Sequence, residues 1–414
     1  MSTRTPVACL RDHVGSTVSI AGWVHRRRVL KSVSFLVIRD RTGTAQAVFR
    51  EPPEVAEETV VRLSGVVAAN PQAPSGAELR DPALEVLSTV EKRPPFPLYR
   101  PDVPASLPVV LDNAAVALRH PALRHRFEVA AASVAAFRRV LDRAGFTEIH
   151  TPKIVATATE SGSNVFRLDY FGRPAYLAQS PQFFKQAMVG VFERVYEVGP
   201  VFRAEPHDTA RHLAQHTSLD AELGFIADHR DVMAVLREVV AEMAGAAGPG
   251  APEVPSDIPA VDFVAAQELL ARHTGEDPRG EPDLAPAHER WLGEWAAREF
   301  GSEFLFVTGY PMAKRPFYTH PDPARPGQSN SFDLLFRGME LVTGGQRLHR
   351  HADYSAVLGE AAGDYSDYLD AFAHGMPPHG GFAIGLERWV AQVLRVGNIR
   401  GTALFPRDLH RLRP

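Results

Sequence analysis

A single cysteine, Cys9, occurs in 414 residues, so no disulfide can form within the chain, and a reducing compartment, the cytoplasm, is the expected location. Long apolar runs are missing as well. No uninterrupted stretch is long enough for a membrane span, and the opening residues MSTRTPVACLRDHVG lack the apolar block of a signal peptide. A strong excess of one charge is also absent. Forty-five basic side chains against 49 acidic ones give a net charge of −4, which excludes a global pull on nucleic acid and leaves only a local basic patch. No internal repeat is visible. The HRH at 349–351 has no cysteine and no HExxH spacing beside it, so it is expected at a polar surface or site rim and not at zinc. What the chain does have is 45% hydrophobic residues, enough for a large core in two or three domains.

The first ninety residues read as short β-branched and aromatic runs separated by turn signals such as DRTG. About five strands in that length predict a small Greek-key barrel of the OB type over 1–92. Charge is uneven here: seven Lys or Arg residues lie between Gly22 and Arg50 against one acid, Asp40. Six prolines between Pro94 and Pro108 then predict a stiff linker over 93–110, because proline disfavours helix and central strand. A helical pattern follows from Pro121, with Gly145 placed to cap its end. The remainder, 111–414, mixes strands and helices, and many of its strands read as antiparallel; the fold class expected is α+β.

The segment VFRAEPHDTARHLAQHTSLDAELGF, 201–225, lies in a long hairpin pattern with a charged loop. In its second strand Leu219, Ala221, Leu223 and Phe225 share one face, and Ser218, Asp220, Glu222 and Gly224 the other. Near the C-terminus, GGFAIGLERWVAQVL reads as a strand, a glycine and a helix with Arg388 in its first turn. A cation there opposes the helix dipole, so helix stability does not explain it. A phosphate gripped by guanidinium and backbone N–H groups does; a carboxylate partner is the plain alternative.

GFTEIHTPKI ending its strand near Pro152, the hairpin around FRAE, and GLER occur in the order of the three signature motifs that they resemble, those of class II aminoacyl-tRNA synthetases. TPKIVATATESGSNVF, YLAQSPQFFKQ, RVYEVGPVFRAE, RPFY, SFDLLFRGMELVTGGQR, PPHGGFAIGLER and LFPRD further resemble the aspartyl-tRNA synthetases of the compact archaeal type. AGWVHRRR through FLVIRDRTGTAQAVF resembles their anticodon-binding OB domain. The likeness runs from about residue 14 to 413. It implies an antiparallel catalytic sheet flanked by helices, a homodimer, ATP with Mg²⁺, L-aspartate, and tRNA(Asp), with tRNA(Asn) left open as a second acceptor.

Residue by residue, the resemblance assigns Arg203 to bridge the aspartate α-carboxylate and the α-phosphate. Glu205, Arg211, His212, Leu213 and His216 would line the ATP pocket, with Gly385, Leu386, Glu387 and the catalytic Arg388 closing it. Glu340, also catalytic, and Thr343 would hold Mg²⁺ through hard oxygens. Aspartate would meet Glu160, Gln182, Lys185, Asp220, Thr343 and Arg347, with Lys185 and Arg347 facing its side-chain carboxylate. In the barrel, Phe35 would stack an anticodon base, Gln46 and Glu78 would read base edges, and Arg26, Arg27, Arg28 and Lys31 would meet phosphates.

Two stretches depart from the family pattern. Ala214, Gln215 and His216 stand where it has Asn-Glu-aromatic, so a titrating imidazole is expected on adenine, with ATP affinity varying between about pH 6 and 8. The loop RRRVLKSVSF lacks expected glycines. Both suit a specialised second copy. An asparaginyl enzyme is the nearest alternative, and Lys185 argues against it, since a neutral amide needs no ammonium partner. An adenylate-forming paralog that charges no tRNA and an RNA-binding regulator with a dead site are further alternatives.

Overall fold

The computed structural model describes residues 4–157 and 164–414, in two compact units divided between Arg124 and His125. Glu160 lies outside the described residues.

In the first unit β1 (Thr17–Val29), β2 (Ser34–Asp40), β3 (Gly43–Phe49), β4 (Val60–Ala69) and β5 (Ala77–Ser88) close into a barrel in the order β1-β2-β3-β5-β4. Alternation drives the closure: Ile20, Leu36, Ile38, Ala45, Leu63 and Leu79 fill the interior. At Gly22 a Cβ would sit 2.3 Å from the Arg39 carbonyl oxygen, so this crossing admits only glycine. The proline-rich stretch does more than link. Phe96 and Leu98, set between its prolines, are buried with Val110, Ala117 and Leu123 around α1 (Leu107–Asp112) and α2 (Ala114–Ala117). Apolar side chains between the prolines give that extended chain a surface worth burying.

The second unit runs from the body of α3 (Pro121–Arg143), which ends before Gly145 at φ +78°, a conformation glycine adopts without strain. Then come β6 (Thr147–Glu148), two residues long where the pattern predicted a full strand, and β7 (Ile154–Val155), β8 (Arg167–Tyr170) and β9 (Arg173–Leu177), a separate small sheet. There follow α4 (Gln182–Phe192), β10 (Arg194–Phe202), β11 (Gln215–Gly224), α5 (His229–Ala246), β12 (Ala260–Asp262), α6 (Phe263–His273), α7 (Pro286–Phe300), β13 (Phe304–Thr308), β14 (Ser331–Phe336), β15 (Met339–Gln346), α8 (His351–Leu358), α9 (Ser366–Ala373), β16 (His379–Gly385) and α10 (Leu386–Val393).

Eight strands form the main sheet, ordered β12-β13-β14-β15-β16-β11-β10-β6. Its six central strands pair antiparallel, and the outermost pair at each edge is parallel. One face carries Leu219, Ala221, Leu223, Phe382 and Ile384 against α3 and α5, through Phe137, Leu236 and Val240. Phe225 does not join them. β11 stops at Gly224, Phe225 takes φ +60°, and this residue is 71% exposed, so the alternation ends one residue earlier than the sequence pattern suggested. The opposite face of β11 holds Ser218, Asp220 and Glu222, which therefore point away from the apolar core.

Candidate active site

One end of the site is built by α4, β11, β15 and β16. Gln182, Lys185, Gln186 and Val189 are the buried residues of α4, at the three- and four-residue spacing of a single helix face. Lys185 Nζ lies 3.0 Å from Asp220 Oδ1 and 3.3 Å from Glu222 Oε2, and Arg347 Nε lies 2.9 Å from Glu222 Oε1. All four side chains are buried. Burial alone would push Glu222 up; Arg347 and Lys185 hold it below the usual carboxylate range instead. The backbone of β16 approaches closely here: a Cβ at Gly381 would fall 2.0 Å from Glu222 Oε2. That contact explains Gly381; at its neighbour Gly380 a Cβ would instead fall 2.6 Å from the Gly345 carbonyl oxygen.

Asp220 and Gln182 open into a cavity of about 610 Å³, which extends along the hairpin loop to α10. Arg203, at the end of β10, Glu205, Arg211, His212, Leu213 and His216 line it from one side, and Glu340, Thr343, Gly385, Glu387 and Arg388 from the other. Arg388 Nη1 donates to the Glu340 carbonyl oxygen at 2.7 Å, with the Glu340 carboxylate 3.8 Å away. Thr343 Oγ1 donates to Glu340 Oε1 at 3.1 Å. Glu387 has a structural partner: both its oxygens accept from the Thr217 N–H at 3.0 Å, and burial raises its pKa.

His216 corrects the expectation of a titrating imidazole. Burial, with Arg203 and Arg388 adding to it, lowers its pKa to about 3, so the ring is neutral throughout the physiological range. Leu386, expected at ATP, packs against the main apolar core and is not among the cavity-lining residues. Lys185 and Arg347 are not lining residues either; they stand behind Asp220, engaged with Glu222.

Carboxylates crowd the Glu340 end. Burial raises Glu289, on α7, and the charge of Glu340 adds to it. Burial also pushes Asp333 up to about 6; Arg315 opposes that rise and Glu340 adds to it. Glu289 Oε2 accepts from Arg211 Nη1 at 3.1 Å and from the Glu340 N–H at 3.3 Å. Two hard oxygens, on Glu340 and Thr343, facing a cavity with surplus negative charge fit Mg²⁺, which takes few protein ligands and fills its other positions with phosphate oxygens and water.

On the barrel, the expected RNA-contacting residues fall together. Arg28 is the cross-strand partner of Phe35, with its guanidinium 5.3 Å from the ring centroid. Val37 pairs with Gln46, and Gln46 with Glu78, which places the last two beside Phe35 on the outer face. Gln46 Nε2 donates to Glu78 Oε2 at 3.0 Å, and Asn70 Nδ2 donates to the same oxygen at 2.6 Å. Arg26 stands over the Tyr99 ring at 4.8 Å.

The model of the class II tRNA synthetases (D, K and N) matches residues 106–409, and that of the OB-fold nucleic acid binding domain matches 18–87. The chain belongs to the class II tRNA synthetases. It is 45% identical to the aspartate–tRNA(Asp/Asn) ligase of Thermus thermophilus, over 99% of this chain and 100% of that one. Identity to the Deinococcus radiodurans protein of the same name is 43%, over 99% of each chain. Among solved structures, the asparaginyl-tRNA synthetase of Pyrococcus horikoshii with asparaginyl-adenylate superposes with a TM-score of 0.92, at 31% identity and full coverage of both chains.

In this class II synthetase the sequence reading missed two acids. Glu222 shares a strand face with Asp220, and that alternation was its signal. Glu289 had none, because its partners Arg211 and Glu340 are far from it in sequence.

Proposed function

We propose that the chain is an aspartate–tRNA ligase. The aspartate α-carboxylate attacks the α-phosphate of ATP, giving aspartyl-adenylate and releasing pyrophosphate. The aspartyl group then passes to a hydroxyl of the terminal adenosine of tRNA(Asp), releasing AMP. One observation carries the choice of amino acid: the buried quartet of Lys185, Arg347, Asp220 and Glu222 is charge-neutral as it stands. An entering α-ammonium takes over the pairing of Asp220, and this frees Lys185 for a second anion. Aspartate brings that anion in its side-chain carboxylate. Asparagine brings only an amide and leaves a buried cation underpaired, which is costly.

Activation joins two anions, and no protein nucleophile is required; positioning and charge neutralisation supply the catalysis. Arg203 would hold the aspartate α-carboxylate against the α-phosphate, and Arg388 the far end of the triphosphate. Arg211, His212, Leu213 and His216 shape the nucleotide side, and Glu205 meets the adenine edge. Glu340 and Thr343 would hold Mg²⁺, which when bound neutralises phosphate charge. Phe35, with Arg26 and Arg28 near it, offers a base a stacking surface, and Gln46 and Glu78 offer it hydrogen bonds. The name carried by the Thermus and Deinococcus relatives supports tRNA(Asn) as a second acceptor. A homodimer working in the cytoplasm belongs to the same reading and rests on the family resemblance.

Charging of tRNA(Asp) and tRNA(Asn) transcripts with radiolabelled aspartate tests the proposal. Aspartyl ester on tRNA(Asp) is expected; its absence on both transcripts contradicts the reading, and its presence on both defines the broader acceptor range.

A further inference from the structure

Behind the amino-acid end lie a buried amide, Gln186, and a buried imidazole, His379, to which the reaction itself assigns no part. We infer that Gln186 and His379 are positioning residues that fix which end of the Gln182 amide faces the substrate, an inference that rests on the proposed reading of the cavity.

Elimination gives the direction. His379 is fully buried, and its Nδ1 lies 2.9 Å from the Pro377 carbonyl oxygen. A carbonyl only accepts, so Nδ1 carries the proton. Burial holds the ring's pKa down to about 4, so Nε2 is a bare acceptor at neutral pH. The Gln186 side-chain amide is 3.0 Å from that Nε2 and must turn its NH₂ group to it. Its Oε1 then faces Gln182 Nε2 and the Tyr368 hydroxyl, each at 2.9 Å. Gln182 donates in turn, and its own Oε1 is left for the cavity.

That end is the useful one. An α-ammonium is a donor only, with three N–H groups to place. Of the Asp220 oxygens, one is given up by Lys185 Nζ, 3.0 Å away in the free protein, and the other already accepts from Ser218 Oγ at 2.5 Å. The Gln182 oxygen adds an acceptor to this seat. The reversed amide would aim N–H groups at a cation.

The test compares His379→Phe and His379→Gln with the parent in aspartate-dependent ATP–pyrophosphate exchange, with succinate as a competitor. Succinate carries both carboxylates and no ammonium. For His379→Phe the aspartate KM rises about tenfold or more, the factor expected for one lost hydrogen bond to a charged group. The ATP KM and the succinate Ki stay within about twofold. His379→Gln can still offer an oxygen to Gln186 and returns the aspartate KM to within about threefold of the parent. Gln186→Met interrupts the chain one residue closer and carries the same expectation as His379→Phe. A succinate Ki that rises in parallel, a Gln variant no better than Phe, or an unchanged aspartate KM overturns the inference. Absence of exchange in the parent would instead overturn the reading of the site.

Discussion

Arg347 and Glu222 form an ion pair of 2.9 Å inside the catalytic unit, and Lys185 approaches the second oxygen of the same carboxylate at 3.3 Å. Glu222 is the anion these two cations hold before a substrate carboxylate arrives. Removing it should therefore have two linked effects. Glu222→Gln leaves a buried positive excess and destabilises the free protein by about 3–5 kcal/mol. Saturating aspartate should then raise the melting temperature more in the variant than in the parent, because the substrate supplies the missing charge. Thermal unfolding with and without aspartate checks both; an equal ligand-induced rise contradicts the pairing.

His216 is the second test. Its pKa of about 3 means the ring gains no proton between pH 6 and 8. His216→Phe should lower the ATP KM by the equivalent of about 0.5–1.5 kcal/mol if the ring stacks on adenine. The shape of the pH profile should match the parent's, and profiles that diverge below pH 7 would show that the imidazole titrates after all.

For the barrel, Phe35→Ala should weaken tRNA charging by about 1–3 kcal/mol through lost stacking and leave adenylate formation intact. Steady-state charging and pyrophosphate exchange on the same preparation separate the two. Equal loss in both half-reactions would remove Phe35 from RNA recognition.

Acid should destabilise the fold. Burial is the leading cause holding His25 and His379 at about 4 and His216 at about 3. Below about pH 6.5 the unfolded chain takes up protons that the folded one refuses, so stability falls, by about 2 kcal/mol per histidine at pH 5. Asp333 acts in the opposite sense. Its raised pKa of about 6 means the folded state takes up a proton there as pH drops, for a gain of about 1 kcal/mol at pH 5. Glu289 and Glu387, also raised by burial, act in the same sense as Asp333, and the three histidines set the overall direction. The melting temperature should fall from pH 7 to pH 5, and a flat or rising profile would contradict these environments.

Local pattern explains what the sequence made legible. Strand alternation placed Asp220 opposite the core, and the glycine-then-helix pattern placed Arg388 at the cavity. The barrel strands and the cap at Gly145 followed from equally local signals. What stayed hidden depends on neighbours distant in the chain. Glu222 lay on the predicted face, yet its meaning came from Lys185 and Arg347, which arrive from another helix and another strand. Glu289 meets its partners only after folding. The neutral state of His216 arises from tertiary burial, which a residue type cannot announce. Alternation also ran one step too far at Phe225, because a strand's end depends on the turn that follows it.

Pyrophosphate exchange with L-aspartate or L-asparagine as the sole amino acid, run on the parent and on Lys185→Met, tests the central claim most directly. The account predicts exchange with aspartate well above that with asparagine. It further predicts that Lys185→Met loses aspartate-dependent exchange by the equivalent of about 2–5 kcal/mol in kcat/KM, because the substrate carboxylate is left underpaired. Asparagine supporting exchange as well as aspartate does, or a lysine variant as active as the parent, would contradict it.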